Sequence, residues 1–183
     1  MKYLKQTTLI SLLALMITGC NNIQGQSKQA ANEYTIYFSL RESEDQNIRI
    51  VSFDGKKLKD FKPKKGSSSR GENKPSVSSN GQWIAFNTYQ FGGWKSAIAN
   101  IDGSDIHPIS RSSNYSGMPS FSKDNQWIVF YEHENGRTGN RDIYKIRVDG
   151  SEKTRLTRNS KHHYSPSFSP DWSKIALVSA REG

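Results

Sequence analysis

A chain of 183 residues is the size of one domain, 33% of it hydrophobic and 11% aromatic. With a mean hydropathy of −0.77 it is too polar for a helical globule and too aromatic for a disordered chain, and it suits short strands alternating with polar turns. The 26 Lys and Arg against 17 Asp and Glu leave +9, a surface that gathers anionic partners or one that is simply soluble.

The chain opens on a secretion leader. Lys2 and Lys5 give a positive start, and residues 9–17 are apolar apart from Ser11. That run is too short to span a bilayer, which takes roughly 20 residues. Ile17-Thr18-Gly19-Cys20 follows, with Cys20 the only cysteine, so no intramolecular disulfide can form. The segment resembles the lipobox of bacterial lipoproteins, with Ile17 where Leu is commoner. The resemblance implies a signal peptide over 1–19, a lipid (palmitate among its acyl chains) on Cys20, and a mature chain anchored through that lipid. Asn21, not Asp, follows the cysteine, which by resemblance to Gram-negative sorting rules implies the outer membrane, facing the periplasm. Residues 20–32 read as the lipidated cysteine and a flexible polar tether.

Beyond the tether, over 33–183, the chain repeats itself. Lys74-Pro75-Ser76-Val77-Ser78-Ser79-Asn80-Gly81-Gln82-Trp83-Ile84-Ala85-Phe86 aligns with the stretch from Met118 through Pro119 to Phe130, and again with Ser165 through Pro166 to Leu177. A second signal, Asp-Gly after an apolar strand, recurs at Asp54-Gly55, Asp102-Gly103 and Asp149-Gly150, where a tight hairpin is expected. The units run over about 33–70, 71–114, 115–161 and an incomplete 162–183. Each full unit reads as four strands, in the third unit 119–122, 127–131, 142–148 and 153–157. The second strand is apolar on both faces, as in Trp127-Ile128-Val129-Phe130, so sheets cover it on either side. The third alternates, as in Ile143-Tyr144-Lys145-Ile146-Arg147-Val148, with one face wetted. The fold class is all-β, a propeller of four-stranded antiparallel blades in about three to four repeats.

Pro166-Ser167-Phe168-Ser169-Pro170-Asp171, then Lys174-Ile175-Ala176, together with Asp142-Ile143-Tyr144, Asp149-Gly150 and Arg155-Leu156-Thr157, resemble the TolB-like propeller repeat, a WD-like family. Trp172 departs from it, standing where Gly or Asn belongs, and its turn is expected to differ from the others because a left-handed bulky residue costs about 1–2 kcal/mol. The last blade is half made and the first begins without its Pro-Ser-Phe strand. This predicts a partial propeller, with dimeric closure or an open array as alternatives. The resemblance implies a non-catalytic, protein-binding scaffold in envelope assembly or integrity. A saccharide-binding or oligogalacturonate-lyase-like propeller, or the propeller piece of a prolyl-oligopeptidase-type peptidase, is the alternative.

Binding is expected on the rim that carries the longer connections: 88–95, 131–141, and the links 62–74, 111–117 and 158–164. The candidate partner-binding residues are Tyr89, Phe91, Trp94, Arg111, Tyr115, Arg158 and Tyr164, beside Lys62, Lys64, Lys65, Arg70, Lys74 and Lys161. Cations next to aromatics suit an acidic protein segment or an anionic saccharide. No nucleic acid is expected of a secreted chain without a recognition helix or zinc spacing. No catalytic set, metal site or cofactor is expected: Gly66-Ser67-Ser68-Ser69-Arg70-Gly71 is not a nucleophile elbow, and the four His are scattered.

Overall fold

The computed structural model describes residues 35–180, apart from 42–47, 65, 67, 159 and 160. The leader, Cys20 and the tether lie outside the described residues. Regular structure among the described residues is all β, in four antiparallel sheets. Blade 1 holds β1 (Ile36–Arg41), β2 (Ile48–Phe53) and β3 (Leu58–Asp60). Blade 2 holds β4 (Asn73–Val77), β5 (Trp83–Thr88), β6 (Lys95–Asn100) and β7 (His107–Pro108). Blade 3 holds β8 (Ser116–Phe121), β9 (Trp127–Asn135), β10 (Thr138–Arg147) and β11 (Thr154–Arg155), and blade 4 holds β12 (His163–Phe168) and β13 (Ile175–Ser179).

Each sheet is a meander in chain order, so alternate connections emerge at opposite ends. The first strands of successive blades, β4, β8 and β12, lie against one another on the axis side. The cores sit in the seams between blades. On β5, Ile84 and Phe86 point toward blade 1 and join Ile50, Phe61 and Ile106, while Ala85 points the other way and joins Ile98, Ile128, Phe130 and Ile146 of the next seam. Apolar residues on both faces of β5 and β9 are thus used twice, and each fully buried Phe or Ile contributes about 1.5–3 kcal/mol. On β10 the alternating face is less wet than its letters suggest, because Lys145 Nζ and the Arg147 guanidinium lie 4.4 and 4.5 Å above the Trp127 ring.

The repeated Ser-x-Asn/Asp letters encode one turn. The hydroxyls of Ser78 and Ser169 donate to Asn80 and Asp171 at 2.7 and 2.6 Å, Ser122 does the same to Asp124, and each Ser oxygen accepts a backbone N–H five residues on. The fourth residue of this turn, the one after Asn or Asp, is left-handed in every copy: Gly81 at φ 70°, Asn125 at 59° and Trp172 at 61°. The expectation that the Trp172 turn would differ is therefore corrected. The side-chain hydrogen bonds around Asp171 hold the same turn there despite the indole.

A second repeated feature was not read from the sequence. Lys74, Met118 and Ser165, each preceding a proline, have φ of 55°, 56° and 52°, and the strand register slips at each. The slip leaves an amide to be satisfied by the preceding blade: Ser39 Oγ accepts from Lys74 N and Asn87 Oδ1 from Met118 N, both at 2.8 Å. Finally, 131–141 is not a long loop. β9 and β10 continue to a tight turn at Gly136 and Arg137, with Arg141 opposite His133 in register.

Candidate binding rim

Four connections meet on the rim opposite the Asp-Gly turns: the 66–72 link, the 89–94 loop, the 111–115 link and the 136–137 turn. Tyr115 is at the centre. Its hydroxyl is 3.3 Å from that of Tyr89, and its ring stands edge-on to Tyr89 and to His133 at 6.5 and 6.3 Å. Trp94 meets Tyr89 edge-on at 5.7 Å, and Tyr131 meets His133 at 5.9 Å. Position 93 takes glycine on two counts: its φ is 149°, and a Cβ there would fall 2.1 Å from the Tyr115 ring.

Cations flank this aromatic row. The Arg70 guanidinium lies 4.5 Å above Tyr89, Arg141 lies 5.4 Å from the Tyr131 centroid, and the Arg137 charge acts on Tyr115. The hydrogen bond with Tyr89 and the Arg137 and Arg70 charges hold the Tyr115 phenol below its ordinary value. Arg141 also ties two histidines together: its Nε donates to His133 Nε2 at 3.2 Å, and its backbone N to His162 Nδ1 at 3.3 Å. Burial, then Arg141, depress the pKa of His133.

Beneath the row lies a charged layer. Lys153 Nζ donates to Glu132 Oε1 at 2.7 Å and to Ser110 Oγ at 3.1 Å, while Glu132 Oε2 is buried with no partner. Nothing in the spacing of Glu132 and Lys153 announced this pair, since 21 residues separate them.

Among the expected residues, Tyr89, Trp94 and Tyr115 come together. Phe91 instead packs against the seam of blades 1 and 2. Arg111 and Arg158 are exposed, and among the described residues no hydrogen bond or ion pair engages either of them. Tyr164 lies half-buried in β12, paired with Val178, not in a connection. Of the neighbouring lysines, Lys64 leaves this rim. Its Nζ is 2.6 Å from Asp102 on the Asp-Gly turn of blade 2, holding that carboxyl far below its usual range. No group of three His, Cys, Asp or Glu that could hold a metal exists among the described residues. No helix among them is long and apolar enough to cross a membrane.

A cavity of about 450 Å³ lies on the turn side between blades 2 and 3, by Trp83, His107 and Arg147. Its polar groups are already engaged: Arg147 donates to Gln126 and Glu152 at 2.8 and 3.0 Å, and His107 Nδ1 sits 2.9 Å from the Asp105 carbonyl.

Comparison with known proteins agrees with this architecture. No curated protein matches the chain. Among solved structures, a putative TolB from Agrobacterium tumefaciens is similar at 21% identity and TM-score 0.66, over 79% of this chain and 50% of that one. TolB from Acinetobacter baumannii is similar at 22% identity and TM-score 0.63, over 81% of this chain and 37% of that one. A prolyl endopeptidase structure shares the fold at 14% identity and TM-score 0.52, over 78% of this chain and 24% of that one. The chain spans half or less of the length of these structures. Residues 42–183 match the TolB beta propeller domain, and the chain belongs to that family.

Proposed function

We propose that the chain is a lipid-anchored envelope protein that uses its long-connection rim to hold an acidic segment of another protein, without catalysing a reaction. One observation carries the reading: separate connections bring Tyr89, Trp94 and Tyr115 together beneath Arg70, with the Arg137 charge acting on the same row. Aromatic rings with adjoining guanidiniums are the usual anchors of a protein interface, and they suit carboxylates from a partner. The family match and the lipobox-like segment support the placement at the envelope.

A photocrosslinking residue in place of Trp94, used in intact cells, tests the reading. A discrete protein adduct that is lost when Arg70 and Arg137 are both changed to Glu is expected. No adduct, or one indifferent to the charge reversal, refutes the binding reading. Cys20→Ser is expected to move the chain from the membrane to the soluble fraction, and retention at the membrane refutes the anchor.

A further inference from the structure

Blade 3 closes its outer edge with a clasp of its own. Asp142, fully buried, accepts from Arg155 Nη2 at 2.5 Å and from Thr157 Oγ1 at 2.7 Å. The corresponding pairing in blade 2 is fixed by register: Ala97 faces Pro108 as Tyr144 faces Arg155. Blade 2 therefore carries Lys95 where blade 3 has Asp142, Pro108 for Arg155, and Ser110 for Thr157. The internal carboxylate is replaced by a cation, and its arginine partner by a ring that cannot donate.

A cavity of about 310 Å³ opens at these same positions, with Lys95, Pro108 and Ser110 joined by Phe91, Arg111 and Ser112. Lys95 is 5% exposed, and its ammonium donates to the Ser112 carbonyl at 2.8 Å and to the Asn114 carbonyl, which engages two of its three protons among the described residues. Arg111 is exposed at the cavity and makes no hydrogen bond or ion pair among the described residues. Ser110 Oγ accepts from Ser112 N and Lys153 Nζ and Ser112 Oγ from Asn114 N, so each hydroxyl keeps its own proton as a donor. No Asp or Glu lines the cavity.

We propose that this charge-reversed clasp is a binding site for a carboxylate-bearing sugar, its carboxylate between Lys95 and Arg111 and its ring against Phe91 and Pro108. The cations supply charge-assisted hydrogen bonds for the carboxylate, and the serines donate to ring hydroxyls. The apolar wall suits the flat face of a pyranose, and the volume is in the range of small-ligand pockets. Burial lowers the pKa of Lys95, and an incoming carboxylate would raise it again. The site shares the 89–94 and 111–115 connections with the Tyr89–Tyr115 row but uses other side chains, so variants on either set distinguish it from the protein-binding reading.

Calorimetric titration of the full chain with D-galacturonate, D-galactose and a tetraglutamate peptide tests it. Galacturonate should bind at least about tenfold more tightly than galactose, the worth of one charged hydrogen bond. Arg111→Ala, a change at an exposed side chain, should weaken galacturonate by a similar factor with an unchanged melt. The double change Lys95→Asp, Pro108→Arg should build the blade 3 clasp into blade 2 and abolish binding. Tyr89→Ala should leave galacturonate binding as it was. Equal affinity for galactose, binding of the peptide in place of the uronate, or indifference to Arg111→Ala each overturns the proposal.

Discussion

Trp172 shows how a single residue can be held against its preference. At φ 61° it occupies a region that costs a side chain with Cβ about 1–2 kcal/mol, and its indole is 43% exposed, so little packing offsets the strain. Trp172→Gly should therefore raise stability by roughly 0.5–1 kcal/mol once the entropy of an added glycine is subtracted, read as a higher midpoint in urea. A lower midpoint would show that the indole makes a contact that matters. His133 sets a pH dependence of the opposite kind. It accepts a hydrogen bond from Arg141 between two tyrosine rings, and burial and Arg141 hold its folded pKa below the unfolded value of about 6.5. A depressed histidine favours the neutral form in the folded state, so its contribution is complete above that unfolded value and is lost as pH falls from it toward the folded value. Between pH 8 and pH 5 the melting temperature should fall more steeply in the native chain than in His133→Gln. Parallel profiles would remove His133 from the account.

At the level of strands, the slip before each proline makes one blade depend on its neighbour. Asn87 is 8% exposed; it accepts from Met118 N and donates to Asn73 Oδ1 at 3.0 Å. Asn87→Ala should cost about 1–3 kcal/mol by leaving the Met118 amide without its acceptor. Hydrogen exchange at that amide should quicken more than at β10. Asn87→Ser should recover part of the loss, because Ser39 does the same work in blade 1. Uniform acceleration across the sheet would instead indicate global destabilisation. These elements also show what the sequence could disclose. Strand order, the Asp-Gly hairpins and the doubly apolar β5 and β9 were legible, because period and turn chemistry are local. The acceptors at Ser39 and Asn87 were not, since 35 and 31 residues separate them from the amides they serve. The binding rim was half legible. Tyr89, Trp94 and Tyr115 share short connections, whereas Arg137 and His133 reached the row only because β9 and β10 extend past the stretch that reads as apolar.

Across the whole molecule, the seams are dry and the two outermost blades are not. Phe86 and Phe130 are fully buried between sheets, while Ile36 and Leu58 on blade 1 are 53% and 58% exposed, and Leu177 and Val178 on β13 are 37% and 44% exposed. Among the described residues no strand pairs with the outer side of β13, so an apolar surface coincides with a row of open backbone groups. Such an edge is a template for pairing with another chain, and a lysine on it is the usual deterrent. A formal charge of +9 opposes association at long range, but that repulsion is screened beyond about 8 Å at physiological salt, where contact between apolar edges takes over. Self-association should therefore rise with ionic strength. Leu58→Lys combined with Val178→Lys should suppress it while moving stability by no more than about 0.5 kcal/mol per site, as exposed substitutions do. Sedimentation velocity at low and high salt reads both effects. A monomer at every salt concentration in the native chain would mean that these apolar edges are covered within the molecule itself.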